Sequence, residues 1–375
     1  MAGKRKLPSR TLMSETAFAP PYPPSWFDRF TDWVDRLPGR AWVIYVLLAA
    51  AVVLFQAAIQ WKEGAFPIGT FNLPQVWNAG NFAFILGLMH YLDKTAASAM
   101  ASFRPLLTPA MNARRSAPEA ETKFKTLSYQ LTTLPARPAL VATLVGVVFV
   151  VVGVGPQLAV GNVPTPFLGT ARTALSTASV VGALILSNAL TFLLFYHSIH
   201  QLSHVSRIYT EHARINPFQL QPLYALSRPG AFTALGLIAY TYAWYALAAS
   251  AGRGPVALEA GLTFASAAIA GAAFALPLLG AHRRLVVEKE ARQAEASARF
   301  EAATIELHRQ LERGRLTQMD QLNNALSSLE IEQNALRKIP TWPWQPGAIR
   351  AVVAALLLPL AIWVLQQMLA RLLPA

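Results

Sequence analysis

The sequence predicts an all-α, multi-pass transmembrane helical bundle of about seven spans that carries a cytoplasmic antiparallel helical hairpin. Three observations predict it. Hydrophobic residues fill 54% of the 375 positions and charged residues only 14%, more apolar surface than a soluble domain needs. Apolar runs of membrane-spanning length recur along the chain. From His282 to Lys338 the pattern becomes charged and amphipathic, and the run KIPTWPWQPG then separates it from a last apolar segment. The chain divides accordingly into an N-terminal arm with an interfacial helix (1–40), a membrane domain of six spans with cytoplasmic connectors (41–280), the hairpin and its elbow (281–346) and a seventh span (347–375).

The arm opens with a polar, basic stretch, Met1 to Arg10, without the apolar core of a secretory signal, followed by the extended, proline-rich APPYPPSW. Trp26, Phe27, Phe30, Trp33, Val34 and Leu37 then share one face of a short helix, with Ser25 and Asp28 in capping-box positions. That face suits either the membrane interface or a small core. Pro38 and Gly39 turn the chain into the first span, Ala41 to Gln60, anchored by Trp42, Tyr45 and Trp61.

The second span has two readings, because the apolar run Phe82 to Leu92 is too short to cross about 30 Å of hydrocarbon. A helix from near Asn78 to Met100 places His90, Asp93 and Lys94 within the membrane; a start near Phe71 includes Pro74 and leaves the charges at the cytoplasmic end. The small residues TAASAMAS favour the first. Intramembrane ionisable groups are functional candidates, so His90, Asp93 and Lys94, with Asn188 of a later span, form a candidate polar site. The polar segment from Phe103 to Pro138 is broken by prolines, with one helix expected over 119–131. The third span starts at Ala139, and Gly153, Gly155 and Pro156 are expected to break it near its far end.

The fourth span begins near Thr173 and projects beyond the membrane as one helix of about 42 residues, roughly 63 Å long, for no Gly or Pro intervenes between Gly182 and Pro217. His197, His200 and His204 lie at i, i+3 and i+7 on its near-membrane part, a spacing that suits a metal or haem, although no carboxylate completes it locally. Two antiparallel spans follow, Gly230 to about Ala251, rich in Tyr and Trp, and Val256 to Gly280, rich in Ala and Gly, with GRGP between them. The seventh, Ala348 to Leu373, contains Pro359, Gln366 and Gln367.

The hairpin rests on two apolar stripes: Ala296, Phe300, Ala303, Leu307 and Leu311 going out, and Met319, Leu322, Leu326, Leu329 and Leu336 returning. Gly314 suits a left-handed helix end, and Thr317 with Asp320 a capping box. An outgoing arm of about 32 residues exceeds the return arm of about 22 by roughly 15 Å, which the extended elbow can span.

Of the 32 Lys and Arg residues, 28 fall on the N-terminal side of this topology, which places the N-terminus and hairpin in the cytoplasm and the C-terminus outside a plasma (inner) membrane. The net charge of +13 is therefore read as orientation and contact with anionic head groups, by Arg114, Arg115, Arg283 and Arg284 among others, and not as nucleic-acid binding. The absence of cysteine excludes disulfides, thiolate catalysis and Cys-based metal sites. Phosphate-binding glycine loops, zinc-protease and nucleophile-elbow motifs are absent, and the last span has no lysine for a Schiff base; no enzyme activity and no cofactor are expected. Two function classes remain: a membrane-anchored interaction or signalling protein that presents its helices to a cytoplasmic partner or a second copy, and an ion channel or small-solute transporter with a polar route near Asp93.

Overall fold

The computed structural model describes residues 18–107, 117–159, 173–213, 218, 220–250, 268–314, 319–345 and 347–358. Among them the chain is all-helical, and its single β-bridge joins Pro24 to Pro135. In chain order the helices are α1 (Trp26–Arg36), α2 (Ala41–Lys62), α3 (Leu73–Phe103), α4 (Ala117–Thr132), α5 (Ala136–Ala159), α6 (Ala174–Arg207), α7 (Gln221–Ala225), α8 (Ser227–Ser250), α9 (268–275), α10 (Leu279–Glu312), α11 (Met319–Lys338) and α12 (Gly347–Leu358).

Three of these helices are long and apolar enough to cross a membrane, fewer than the seven expected: α2, α5 up to Pro156, and α6 with its continuation to His212. At 22, 21 and 39 residues they reach at least about 30 Å. Helix α3 has the length, but Asn78, Asn81, His90, Asp93 and Lys94 interrupt its apolar character. The first part of the sixth expected span (256–267), the GRGP turn and the end of the seventh with Pro359, Gln366 and Gln367 lie outside the described residues, as do the arm Met1–Arg10, Arg114, Arg115 and Thr317. Large apolar side chains such as Leu47 and Phe55 of α2 and Val148 and Val152 of α5 face outward, as a lipid-facing surface requires.

Several boundaries differ from the sequence reading, each for a local reason. Helix α3 begins at Leu73 with Pro74 in its first turn, where the missing N–H has no partner to lose, and still runs past Asp93 and Lys94. Both readings of the second span are thus partly met. Helix α5 does not break at Gly153, Gly155 and Pro156 but continues to Ala159; in an apolar medium an unpaired backbone group costs more than a glycine does. Tyr45, expected as an interfacial anchor, is fully buried. In α1 the aromatic face divides, Phe27 and Val34 packing into the core while Trp26 and Trp33 point outward.

One core lies between α1, α2, α3, α6 and α8, with Phe27, Ile85, Met89 and Leu193 at its centre. A second gathers the far half of α3, α4, the end of α6, α7 and the start of α10 around Met100, Phe103, Leu131 and Tyr209. Beyond Arg207 the last turn of α6 widens to a π-helix over Ile208–His212. Helices α10 and α11 pack along each other, with Arg299 3.9 Å from Glu332 and the Lys289 ammonium donating to the carbonyls of Arg337 and Ile339 at 2.9 and 2.8 Å. Gly314 follows α10 with φ +65°, a conformation that favours glycine at a helix end. Of the stripe residues Ala296 and Leu336 are buried, Phe300, Ala303, Leu307, Met319, Leu322, Leu326 and Leu329 are half-buried, and Leu311 is exposed.

Helices α5 and α6 approach closely at Gly146, where an added Cβ would lie 2.6 Å from the Cα of Ala189 and from the carbonyl oxygen of Asn188. At Gly153 of the same helix a Cβ meets nothing within 4 Å. Replacing each by alanine should therefore act with opposite sign: Gly146→Ala destabilises by about 1–3 kcal/mol as backbones are pushed apart, and Gly153→Ala is neutral or stabilises by up to about 1 kcal/mol. Thermal unfolding in detergent checks both; a loss at Gly153 as large as at Gly146 would refute this packing.

Candidate functional site

The ionisable residues of α3 emerge on two sides of the helix and meet different partners. His90 and Lys94, at i and i+4, both reach Asp35 of α1. The Lys94 ammonium donates to Asp35 Oδ1 at 2.8 Å, and His90 Nε2–H to Oδ2 at 3.2 Å. With Nε2 so engaged, His90 Nδ1 accepts from the Tyr45 hydroxyl of α2 at 2.7 Å. An unbroken hydrogen-bonded chain thus runs from exposed Lys94 through Asp35 and His90 to fully buried Tyr45. Partial burial acts to raise the carboxyl of Asp35, but the hydrogen bond and charge of Lys94, with those of His90, outweigh it and hold that carboxyl below its usual range.

Asp93 turns the other way, into α6. His197 Nε2–H donates to Asp93 Oδ1 at 2.8 Å, and the Gln201 amide approaches the same oxygen at 3.3 Å. The Asp93 side chain keeps 16% of its exposure and that of His197 only 2%. Phe27 of α1 closes over the imidazole edge-on, at 6.4 Å between ring centroids. Gln201 also reaches the carbonyl of Leu131 at the end of α4. Four helices converge on this point: α1 brings the ring of Phe27, α3 Asp93, α4 the carbonyl of Leu131, and α6 His197 and Gln201.

Asp28 completes the arrangement from α1. Its carboxylate accepts from Ser25 N and Oγ at 2.9 and 2.6 Å, which with the reciprocal Asp28 N to Ser25 Oγ bond makes the capping box, and from Leu134 N at 3.1 Å. Burial pushes this carboxyl up to about 6; the Ser25 hydrogen bonds oppose the shift and the charge of Asp93 adds to it.

The other sequence candidates do not join this cluster. Asn188 donates to Leu184 O one turn back in its own helix at 2.9 Å, and the polar link between α3 and α6 at that level is Asn81 to Ser187, 3.1 Å. His197, His200 and His204 share one stretch of α6 but face different partners: Asp93 for His197, the carbonyl of Gln130 for His200 at 3.0 Å and the carbonyl of His200 for His204 at 2.8 Å. Among the described residues no group of three or more His, Asp or Glu side chains is arranged to hold a metal ion. Sequence reasoning singled out neither Asp35 and Gln201 nor Tyr45 as parts of this site. The signal that could have found Asp35 is its spacing from Asp28, two turns apart on one face of a short amphipathic helix.

Because the folded state holds the proton of Asp28 up to about pH 6 while an unfolded aspartate loses it near 4, the folded chain binds more protons between these values. Stability is then highest below about pH 4 and declines as pH rises to about 6, on the order of 2 kcal/mol for this group. Thermal unfolding of the wild type and of Asp28→Asn across this window should show the decline in the first and its loss in the second; parallel pH profiles would count against it. No protein-family model, curated protein or solved structure matches the chain.

Proposed function

We propose that the chain is an integral plasma-membrane (inner-membrane) protein, N-terminus cytoplasmic, that presents the hairpin of α10 and α11 to a cytoplasmic protein partner. The observation that carries this reading is the contrast between the two ends of the hairpin. Its root is held at many points: Arg284 donates to the carbonyls of Tyr209 and Thr210 at 2.7 and 3.1 Å, and Ala281 and Leu285 are buried. A column of stacked rings, His282 on Trp342, Trp342 on Trp344 and Trp344 on Phe274, with centroid distances of 3.9, 4.3 and 5.0 Å, fixes the elbow. Away from the root, Ile305, Leu311 and Ile331 are 52%, 47% and 69% exposed beside half-buried stripe residues. A rigid base and exposed apolar side chains from mid-length to the far end suit docking of another protein.

A second reading, an ion or small-solute route past Asp93, has the support of the Lys94–Asp35–His90–Tyr45 chain and of the buried Asp93–His197 pair. Water access separates the two. The wild type lacks cysteine, so Asp93→Cys and Ile331→Cys each offer one thiol to a membrane-impermeant reagent on sealed vesicles of either orientation. The hairpin reading expects Ile331→Cys to react from the cytoplasmic face alone and Asp93→Cys to react slowly from both. Ready reaction of Asp93→Cys from the outer face transfers support to the route, and labelling of Ile331→Cys from outside overturns the orientation. A photoreactive residue at Ile331 in native membranes should further give one discrete cross-linked species above the monomer, weakened severalfold by Ile305→Asp; a ladder indifferent to that change would sink the docking reading.

A further inference from the structure

A groove of about 690 Å³ lies between α6, α8 and α9 on the side of α6 away from Asp93. Its polarity is graded. At one end Phe195, Leu237 and Ile269 form apolar walls; toward the other, Ser198, Ser203 and Ser206 bring three hydroxyls from α6. Phe195 closes the apolar run of the fourth span, and the eleven residues from there to Ser206 rise about 16 Å along the helix. The groove therefore starts beside hydrocarbon and ends beside head groups.

Two further features fit this gradient. Ser198 is only 5% exposed, and its hydroxyl lacks a hydrogen-bond partner among the described residues although the side chain lines the groove. A buried, unpaired hydroxyl costs about 1–3 kcal/mol unless something supplies an acceptor. Beyond the serine end, just past Leu276 and Pro277 of the groove wall, Arg283 in the first turns of α10 is exposed and makes no ion pair with any described residue.

We infer that this groove is a binding site for one anionic glycerophospholipid of the surrounding leaflet. An acyl chain lies against Phe195, Leu237 and Ile269, an ester carbonyl accepts from the Ser198 hydroxyl, and the phosphate reaches Ser206 and Arg283. Charge selects the anionic head group, because an exposed guanidinium without an ion pair among the described residues, a few residues beyond the groove wall, favours a lipid with net negative charge. The apolar end excludes a free phosphate ion as the occupant. This site depends on membrane insertion but stands whether or not the hairpin meets a protein partner.

The test is native mass spectrometry of the full chain, delipidated in mild detergent and titrated with phosphatidylglycerol or with phosphatidylcholine. The wild type should retain one phosphatidylglycerol per chain in preference to phosphatidylcholine. Ala273→Phe, which fills the groove wall, should abolish retention. Ser198→Ala, a smaller change that any folded variant tolerates, should weaken it about three- to tenfold, the worth of one hydrogen bond. Arg283→Gln should bring the two lipids to equal retention. Equal retention of both lipids by the wild type overturns the assignment, as does unchanged affinity in Ser198→Ala, or in an Ala273→Phe protein that melts like the wild type. Should Ala273→Phe fail to fold, the Ser198→Ala and Arg283→Gln titrations decide the matter alone.

Discussion

The hydrogen bond between Asp93 and His197 is the constraint from which the arrangement of α1, α3 and α6 follows. It joins a carboxyl of α3 to an imidazole of α6 where little solvent reaches either. Each group is expensive to bury alone: removing one partner of such a pair typically costs about 3–5 kcal/mol, because the other is left uncompensated. Helix α3 therefore has one rotation about its axis, the one that turns Asp93 to α6, and the position of His90 and Lys94 toward α1 is a consequence. Asn81 to Ser187 repeats the α3–α6 link at an earlier level of both chains, so two polar contacts fix the helices parallel and in register. Apolar packing alone leaves such a register soft, for lipid competes with side chains on equal terms.

Helix α1 works as a clamp because two of its three carboxylates, Asp28 and Asp35, stand two turns apart on one face. Asp28 holds the corner between α4 and α5 through Leu134 N, and Asp35 holds α3 through His90 and Lys94. The extended segment before α1 extends the grip: Ser25 N donates to Leu134 O, Ala136 N to Pro23 O, and the Tyr22 hydroxyl to Thr133 O. In return the Tyr129 hydroxyl donates to Tyr22 O. The prolines explain why this segment is extended and why it forms only an isolated bridge, since they supply few N–H groups to a ladder. The acid at Asp28 raises the cost of this corner, and its proton affinity is the visible form of that cost.

Much of this was legible in the sequence wherever one helix decides the outcome. The helical class, the α1 capping box, the continuation of α6 to His212 and the helix end at Gly314 all follow from local pattern. Candidate polar residues were legible on α3 for the same reason: charge within an apolar run is conspicuous. Their partners were not, because Asp35 and Tyr45 reach His90 across 55 and 45 positions of sequence, and periodicity carries no information about which helix faces which. His200 illustrates the limit. Its spacing with His197 and His204 suits a metal, yet its Nε2 meets the carbonyl of Gln130 at 3.0 Å, and a carbonyl in the last turn of another helix is a partner no spacing rule anticipates.

The same helix-end chemistry links the two halves of the molecule. At its far end α6 widens into a π turn, which leaves carbonyls of the last turn without partners in their own helix. Arg284 takes two of them, Tyr209 O and Thr210 O, so the root of α10 acts as the cap of α6, a cation at the negative end of a helix dipole. Below this point the Phe274, Trp344, Trp342 and His282 column joins the end of α9 to the chain that leaves α11. Helix α6 thus holds the Asp93 contact along its length and the base of the α10–α11 pair at its end. A tilt of α6 is not readily absorbed there, because charge-assisted hydrogen bonds, stacked rings and the buried Ala281 and Leu285 all join the base of α10 to it, and so that base must move with it.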